Sequence, residues 1–277
     1  MNNKKNSFFI KGLIYLSLLT ATFFFLFPIY WMFSTSIKPP LVAQSVEPIF
    51  LFKPTLENYG YLIFETRYMI SFLNSLAVAT GHTILILFIS IPTAYALSRM
   101  PSRSNTIVSF LVLFTRALPP VGIAVPLYIL YKDFGMVNSR IGLMIIYVLL
   151  NLSFSVWMLK SFIDGLSPEL EEAAYMDGCS RLRTIRKITL PLISPGIVAT
   201  SIYVFCIAWS EFVFAFIFTG FESRTLPVEI QSYITPTGIQ WAPMSAGGTL
   251  IVAPTIIFYI FIKKYLTRGL TVGGVKE

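Results

Sequence analysis

Charge is confined to short intervals of this chain, and between them apolar residues run on without the two-residue or 3.6-residue alternation of a half-buried element. Six such runs stand out, at 13–33, 72–97, 107–129, 141–159, 192–218 and 244–262. Each is near the ~20 residues that a helix needs to cross a hydrocarbon core about 30 Å thick. Lipid offers backbone groups no partner, so each run is expected to close its own hydrogen bonds as an α-helix. The pattern therefore predicts an all-α membrane protein with six transmembrane helices. The first run follows Lys4, Lys5 and Lys11. It is too long for a signal-peptide core and lacks a small-residue cleavage site, so it reads as the first span.

The polar intervals differ in character. Residues 38–70 are rich in Pro and Tyr (Pro39, Pro40, Pro48, Pro54, Tyr59, Tyr61), and 219–241 contain Pro227, Pro236 and Gly238. Both suit ordered loops, either as connectors or as partner-contacting surfaces. The interval 160–191 holds the densest charge. Ser167-Pro168 is a helix-start signal. Glu169, Glu171 and Glu172 then fall where the helix dipole favours negative charge. Leu170, Ala173, Ala174 and Asp177 share a face at helical spacing, and the small Ala side chains would let another surface approach. Gly178 can take the left-handed conformation that stops a helix. Ser180 offers a second cap before a short basic helix over 181–189, and Pro191 opens the next span. Two short helices at an angle, held between two spans, make a rigid protrusion or, alternatively, an amphipathic loop lying on the membrane.

Composition narrows the class. The 277 residues are 55% hydrophobic and 12% charged, with a mean hydropathy of +0.73, unlike an ordinary soluble domain. A net charge of +8 would suit nucleic acid, yet the basic residues sit in small clusters beside apolar runs and form no basic domain. Their distribution speaks to orientation instead. Fourteen Lys and Arg flank the runs on the side of the termini and of 160–191, against six on the other side (Lys38, Lys53, Arg67, Lys132, Arg140, Arg224). The positive-inside bias thus predicts both termini and the 160–191 loop in the cytoplasm. Cys179 and Cys206 have no paired spacing and His82 is the sole histidine, so neither a disulfide framework nor a metal site is expected.

Several residues within the runs are candidates for more than packing. Arg116 and Glu211 are ionisable groups in apolar surroundings, where charge is costly and faces protein or water. They line a solute path or hold helices together. Pro119, Pro120 and Pro126, with Gly122 between them, break the third run, as gates in transporters do and as simple bends do. His82 reads as a packing residue or a proton relay. Trp31, Trp157, Trp209 and Trp241 lie near run ends, where an interfacial aromatic belt would place them.

The segment from Glu172 to Pro191, EAAYMDGCSRLRTIRKITLP, has Glu-Ala-Ala, then Gly178, then Ile188 and Leu190-Pro191. This spacing resembles the EAA loop of permease subunits of binding-protein-dependent ABC importers. The resemblance extends to Tyr59, Asn74-Ser75, 94–99 (AYALSR), Leu118-Pro119-Pro120, Pro126-Leu127-Tyr128, Trp209-Ser210-Glu211-Phe212, and the tail residues Gly269-Leu270-Thr271 and Gly273-Gly274-Val275-Lys276. These are similar to the second membrane subunit of the maltose-type carbohydrate subfamily. Ser210 stands where Asn is common, and Gly274 where Ala is common. The resemblance implies the type I ABC importer transmembrane fold in the cytoplasmic (inner) membrane of a prokaryote. It also implies a second permease subunit, two ATPase subunits, an extracytoplasmic solute-binding protein and a lipid surround. Glu172, Ala173, Ala174, Asp177 and Gly178 become the ATPase-docking residues, while Arg116, Pro119, Pro120 and Glu211 stay, on their own chemistry, candidates for a translocation path or gate or for helix packing.

No phosphate loop G-x-x-x-x-G-K-[ST] occurs, so ATP hydrolysis is expected in another subunit, with no catalytic residue or cofactor here. The solute implied is a sugar or oligosaccharide, with a polyol or glycerol phosphate as the alternative. An ion-coupled carrier would usually be longer, with internal repeats. An intramembrane enzyme would need a Ser/His, paired-Asp or His/Glu constellation that the sequence lacks.

Overall fold

The structure, a computed structural model, describes residues 2–100, 107 and 119–272, with side chains for 10–100, 107, 119 and 121–257. Arg103, Arg116, Leu118 and the tail from Gly273 to Lys276 lie outside the described residues. The chain divides into two units, residues 1–69 with 230–252 and residues 70–229 with 253–277.

Helix α1 (Asn2–Ser36) leads the first unit, and its apolar residues are exposed along most of its length. One buried amide bonds its last carbonyl and one just beyond it. Asn58 Nδ2 donates to the carbonyls of Ser36 (2.9 Å) and Lys38 (2.8 Å). Ser36 Oγ and the Tyr59 hydroxyl lie 2.7 Å apart, fixing the interval after the helix against the helix itself. Residues 230–252 join this unit through the Tyr68 hydroxyl, which donates to Gly247 O at 2.8 Å. A two-residue antiparallel ladder, β1 (Ile234–Thr235) with β2 (Gly238–Ile239), precedes the last helix.

The second unit is built on α2 (Tyr68–Arg99), α3 (Pro120–Asp133), α4 (Arg140–Asp164), α5 (Glu169–Met176), α6 (Arg181–Thr184), α7 (Ser194–Ser210) and α8 (Val213–Phe218). Ala94, Tyr95, Val156, Leu159, Ile163 and Ile193 form its buried core, with Ile86, Val148 and Val204 as a second cluster. Close approach of α7 to α4 depends on Gly196, where a Cβ would run into the Phe162 ring. On the opposite end, Asn74 Nδ2 donates to the carbonyls of Glu222 (2.9 Å) and Arg224 (3.0 Å), and Ser75 Oγ accepts from Leu226 N–H at 2.7 Å. The Asn74-Ser75 pair thus pins the loop that follows α8.

Among the described residues, the stretches 10–36 of α1, 68–99 and 140–164 are long and apolar enough to cross a membrane. The segments Arg181–Leu192 and Ser194–Ser210, bent by 73°, pass the test together. The last helix, α9 (Trp241–Val272), contains a shorter apolar stretch, Trp241–Ile257.

Three expectations change. The run at 192–218 is not one helix: it breaks at Glu211, whose backbone is extended (φ −70°, ψ 128°), and α8 restarts at Val213. Pro119-Pro120 does not bend a helix among the described residues but starts one. Pro119 is the N-cap with β-region dihedrals and Pro120 the first helical position, where a missing N–H costs nothing. Trp209 is no belt residue. It is buried, stacked on Phe205 at 5.8 Å and edge-on to Phe72 at 5.7 Å.

Candidate functional site

The interval between α4 and α7 folds as two short helices, α5 and α6, with a π-helical turn (Ile185–Thr189) and a last turn (Leu190–Leu192) leading towards α7. Gly178 has φ +79°, so the left-handed stop expected there is present. Both serine caps act through main chain rather than side chain. Ser167 O accepts from Leu170 N–H (3.3 Å), and Ser180 O accepts from Thr184 N–H (2.9 Å) while the Ser180 side chain makes no cap bond. Pro168, not Ser167, occupies the N-cap of α5.

The face inferred from spacing is exposed in α5 at Leu170, Ala173 and Asp177 and departs from expectation only at Ala174. Ala174 is buried, at 4% exposure, and so is Glu171, at 5%. Leu170, Glu172, Ala173, Asp177 and Gly178 stay exposed, and so do Met176 (88%) and Leu182 (65%). The helix hides a carboxylate and shows its large apolar residues, the reverse of a surface helix packed on its own core. Of the predicted docking set, Ala174 therefore serves the inside, and the other four share the open side.

Glu171 is the residue that sequence reasoning missed. Its Oε2 accepts from the Tyr95 hydroxyl at 2.8 Å. Its Oε1 accepts from Thr189 Oγ1 at 3.1 Å and pairs with Arg99 Nε at 3.3 Å. Arg99 extends the network, since Nη2 donates to the carbonyls of Ile163 (3.0 Å) and Leu166 (2.8 Å) just where α4 ends. A guanidinium there meets the negative end of the helix dipole and bonds carbonyls that have no intrahelical partner. One ion pair thus ties the protrusion to the ends of α2 and α4 and to the π turn. Alongside it, Asp164 accepts from Ser98 Oγ (2.6 Å) and pairs with Lys160 (2.5 Å). Burial alone would raise the Asp164 carboxyl, but these hydrogen bonds and the Lys160 and Arg99 charges hold it below the usual range.

Glu211 is fully engaged by protein. Its Oε1 accepts from Phe214 N–H (2.9 Å), and its Oε2 from Ala215 N–H (3.0 Å) and the Tyr147 hydroxyl (2.8 Å). The side chain caps α8 across the helix break and fastens it to α4, an N-terminal position where carboxylates are favoured. His82 is buried with its ring edge-on to Tyr147 at 5.9 Å, as a packing residue would be. No cluster of metal-ligating side chains occurs among the described residues.

Known proteins bear on this geometry. The family of binding-protein-dependent transport system inner membrane components matches residues 86–272. A probable ABC transporter permease protein of Sinorhizobium fredii is 35% identical, over 92% of this chain and 91% of its own. The trehalose/maltose transport system permease protein MalG of Thermococcus litoralis is 34% identical, over 91% of each chain. Among solved structures, a chain of a bacterial ABC transporter involved in importing the acidic polysaccharide alginate superposes with a TM-score of 0.80 at 23% identity. It covers 92% of this chain and 96% of its own.

Proposed function

The chain belongs to the family of binding-protein-dependent transport system inner membrane components, and from that premise we propose that it couples a separate ATPase to solute movement through its 160–191 loop. It is a multi-pass inner-membrane protein, a permease subunit whose relatives leave ATP hydrolysis to another subunit. On our reading it has six spans with both termini and the loop in the cytoplasm. It forms the path with a second permease, receives solute from an extracytoplasmic binding protein and docks an ATPase subunit on the open side of α5.

The observation that carries this reading is the inverted α5. Exposed Met176 and Leu182 beside Glu172, Ala173, Asp177 and Gly178 make an apolar patch with a charged rim. Such a patch on a protrusion tied to two long helices suits a soluble partner that pushes on it. Force on the patch would pass through Glu171 and Arg99 to the ends of α2 and α4 together. The solute path needs no charge from Glu211, whose two oxygens are taken by α8 and Tyr147. Pro119 and Pro120 keep a gating role only as the start of α3, and Arg116 stays a candidate for the path.

A sugar or oligosaccharide is the solute we infer, because one relative is named for trehalose and maltose. A thermal-shift panel of sugars, polyols and glycerol phosphates on the cognate binding protein tests that assignment. For coupling, the test is co-purification with the ATPase subunit from membranes. Met176→Asp and Gly178→Asp are expected to cut ATPase recovery about tenfold, the effect of losing one good apolar contact, while the permease pair stays intact. ATP-independent transport by this chain alone in proteoliposomes would overturn the reading in favour of a secondary carrier.

A further inference from the structure

Within the first unit, a cavity of about 450 Å³ opens beside the C-terminal end of α1. Two of its lining groups lack a counterpart. Lys38 is 3% exposed, and no carboxylate among the described residues reaches its ammonium. Its Nζ lies 4.3 Å from the centre of the Trp31 ring and 5.3 Å from that of Phe52, so two aromatic faces hold the charge without neutralising it. One turn earlier, Thr35 is 7% exposed and its Oγ1 has no hydrogen-bond partner. An ammonium walled in by aromatic rings but open to the cavity, and beside it a buried hydroxyl without a partner, together offer an anion a charge and a donor. Burial alone already lowers the Lys38 pKa from its ordinary value, the cost an anion would remove.

The rest of the lining narrows the anion. Pro28, Met32 and Val42 form an apolar wall, and the exposed carboxylate of Glu47 stands on the same cavity. Neighbouring α1 residues Ile29, Tyr30 and Phe33 are exposed and apolar, as expected of a helix in lipid. The required occupant is anionic at one atom group, cationic close by, and apolar beyond. We propose that this cavity binds the headgroup of a zwitterionic glycerophospholipid with a primary ammonium, its phosphate on Lys38 and Thr35, its ammonium on Glu47 and its acyl stem along Pro28, Met32 and Val42. The site is independent of the ATPase-docking patch, so loss of one leaves the other testable.

Native mass spectrometry of the delipidated transporter complex decides this, by titration with phosphatidylethanolamine, phosphatidylglycerol and soluble phosphoethanolamine. Phosphatidylethanolamine is expected to fill one site that Lys38→Met weakens about tenfold, the size of one charge-assisted bond. Lys38→Arg should keep the site, Thr35→Val should weaken it, and Glu47→Gln should erase the preference over phosphatidylglycerol. If Lys38→Met fails to assemble, Thr35→Val and Glu47→Gln carry the test, since neither alters the aromatic cage. Unchanged lipid binding in the Lys38 and Thr35 variants overturns the proposal. So does equal binding of phosphoethanolamine, which would mark a soluble ligand, or a cross-link from Ser45→Cys to the second permease in place of lipid.

Discussion

A single carboxylate, Glu171, ties the protrusion to the ends of α2 and α4 and to the π turn, the tie through which the proposed coupling would run. Removing one member of a buried ion pair strands the other, at about 3–5 kcal/mol, and Glu171→Ala also leaves Tyr95 and Thr189 without their acceptor. The expected phenotype is a complex with a lower melting temperature that still hydrolyses ATP but transports little. Glu171→Gln, which keeps the shape and can still accept, is expected to cost about 1–3 kcal/mol. Equal transport per ATP in wild type and Glu171→Ala would show that the tie carries no coupling. Asp164 gives a pH signature. Its folded pKa lies below the ordinary carboxylate value of about 3.9, so its contribution is complete above that value and is lost as pH falls through the lowered one. The melting-temperature gap between wild type and Asp164→Asn should therefore be widest near neutrality and narrow in acid. Nearly half of the Asp164 side chain is exposed, so salt should shrink the gap as well.

Elements were legible where one rule governs them. Long charge-free runs gave α2 and α4 within about five residues at each end. They gave α1 at its C-terminal end, its start at Asn2 lying eleven residues earlier than the run. Gly178 gave the stop of α5 because only its φ of +79° was needed. The failures lie where a side chain far along the chain decides. Spacing put Leu170, Ala173, Ala174 and Asp177 on one face, and three of them share the exposed side, but Ala174 is buried beside Glu171, which Arg99, more than 70 residues earlier, holds inward. The run at 192–218 hid its break for a similar reason, since Glu211 works as a cap only with α8 and Tyr147 in place. Trp209 sits near a run end yet packs into the core, because a run end marks the membrane boundary only if the run is one helix. Gly196 was silent in sequence, and its meaning is the contact of α7 with Phe162. Gly196→Ala should gain helix propensity of about 1 kcal/mol yet lose about 1–3 kcal/mol to overpacking. A net drop in melting temperature, relieved in the double variant with Phe162→Leu, would show that the ring is the obstacle. A rise in melting temperature would show that α4 and α7 yield.

At the scale of the molecule, the distribution of Lys and Arg makes one statement that the fold by itself does not, namely which side each loop faces. Fourteen basic residues against six predict residues 160–191 in the cytoplasm and residues 38–70 and 219–241 outside. The two native cysteines make this testable. Cys179 lies at the turn of the protrusion and is partly exposed, whereas Cys206 lies within α7. In a Cys206→Ser background, a membrane-impermeant maleimide should leave Cys179 unlabelled in cells with a permeabilised outer envelope and label it in inverted membrane vesicles. Moving the only thiol to Thr237, on the tip between β1 and β2, should reverse the result. Labelling of both from the same side would require an even number of crossings between them, in place of the one that the bent pair 181–192 and 194–210 supplies as a single span. Labelling of Cys179 from outside would place the protrusion away from the ATPase, and the docking assignment would fall with the topology.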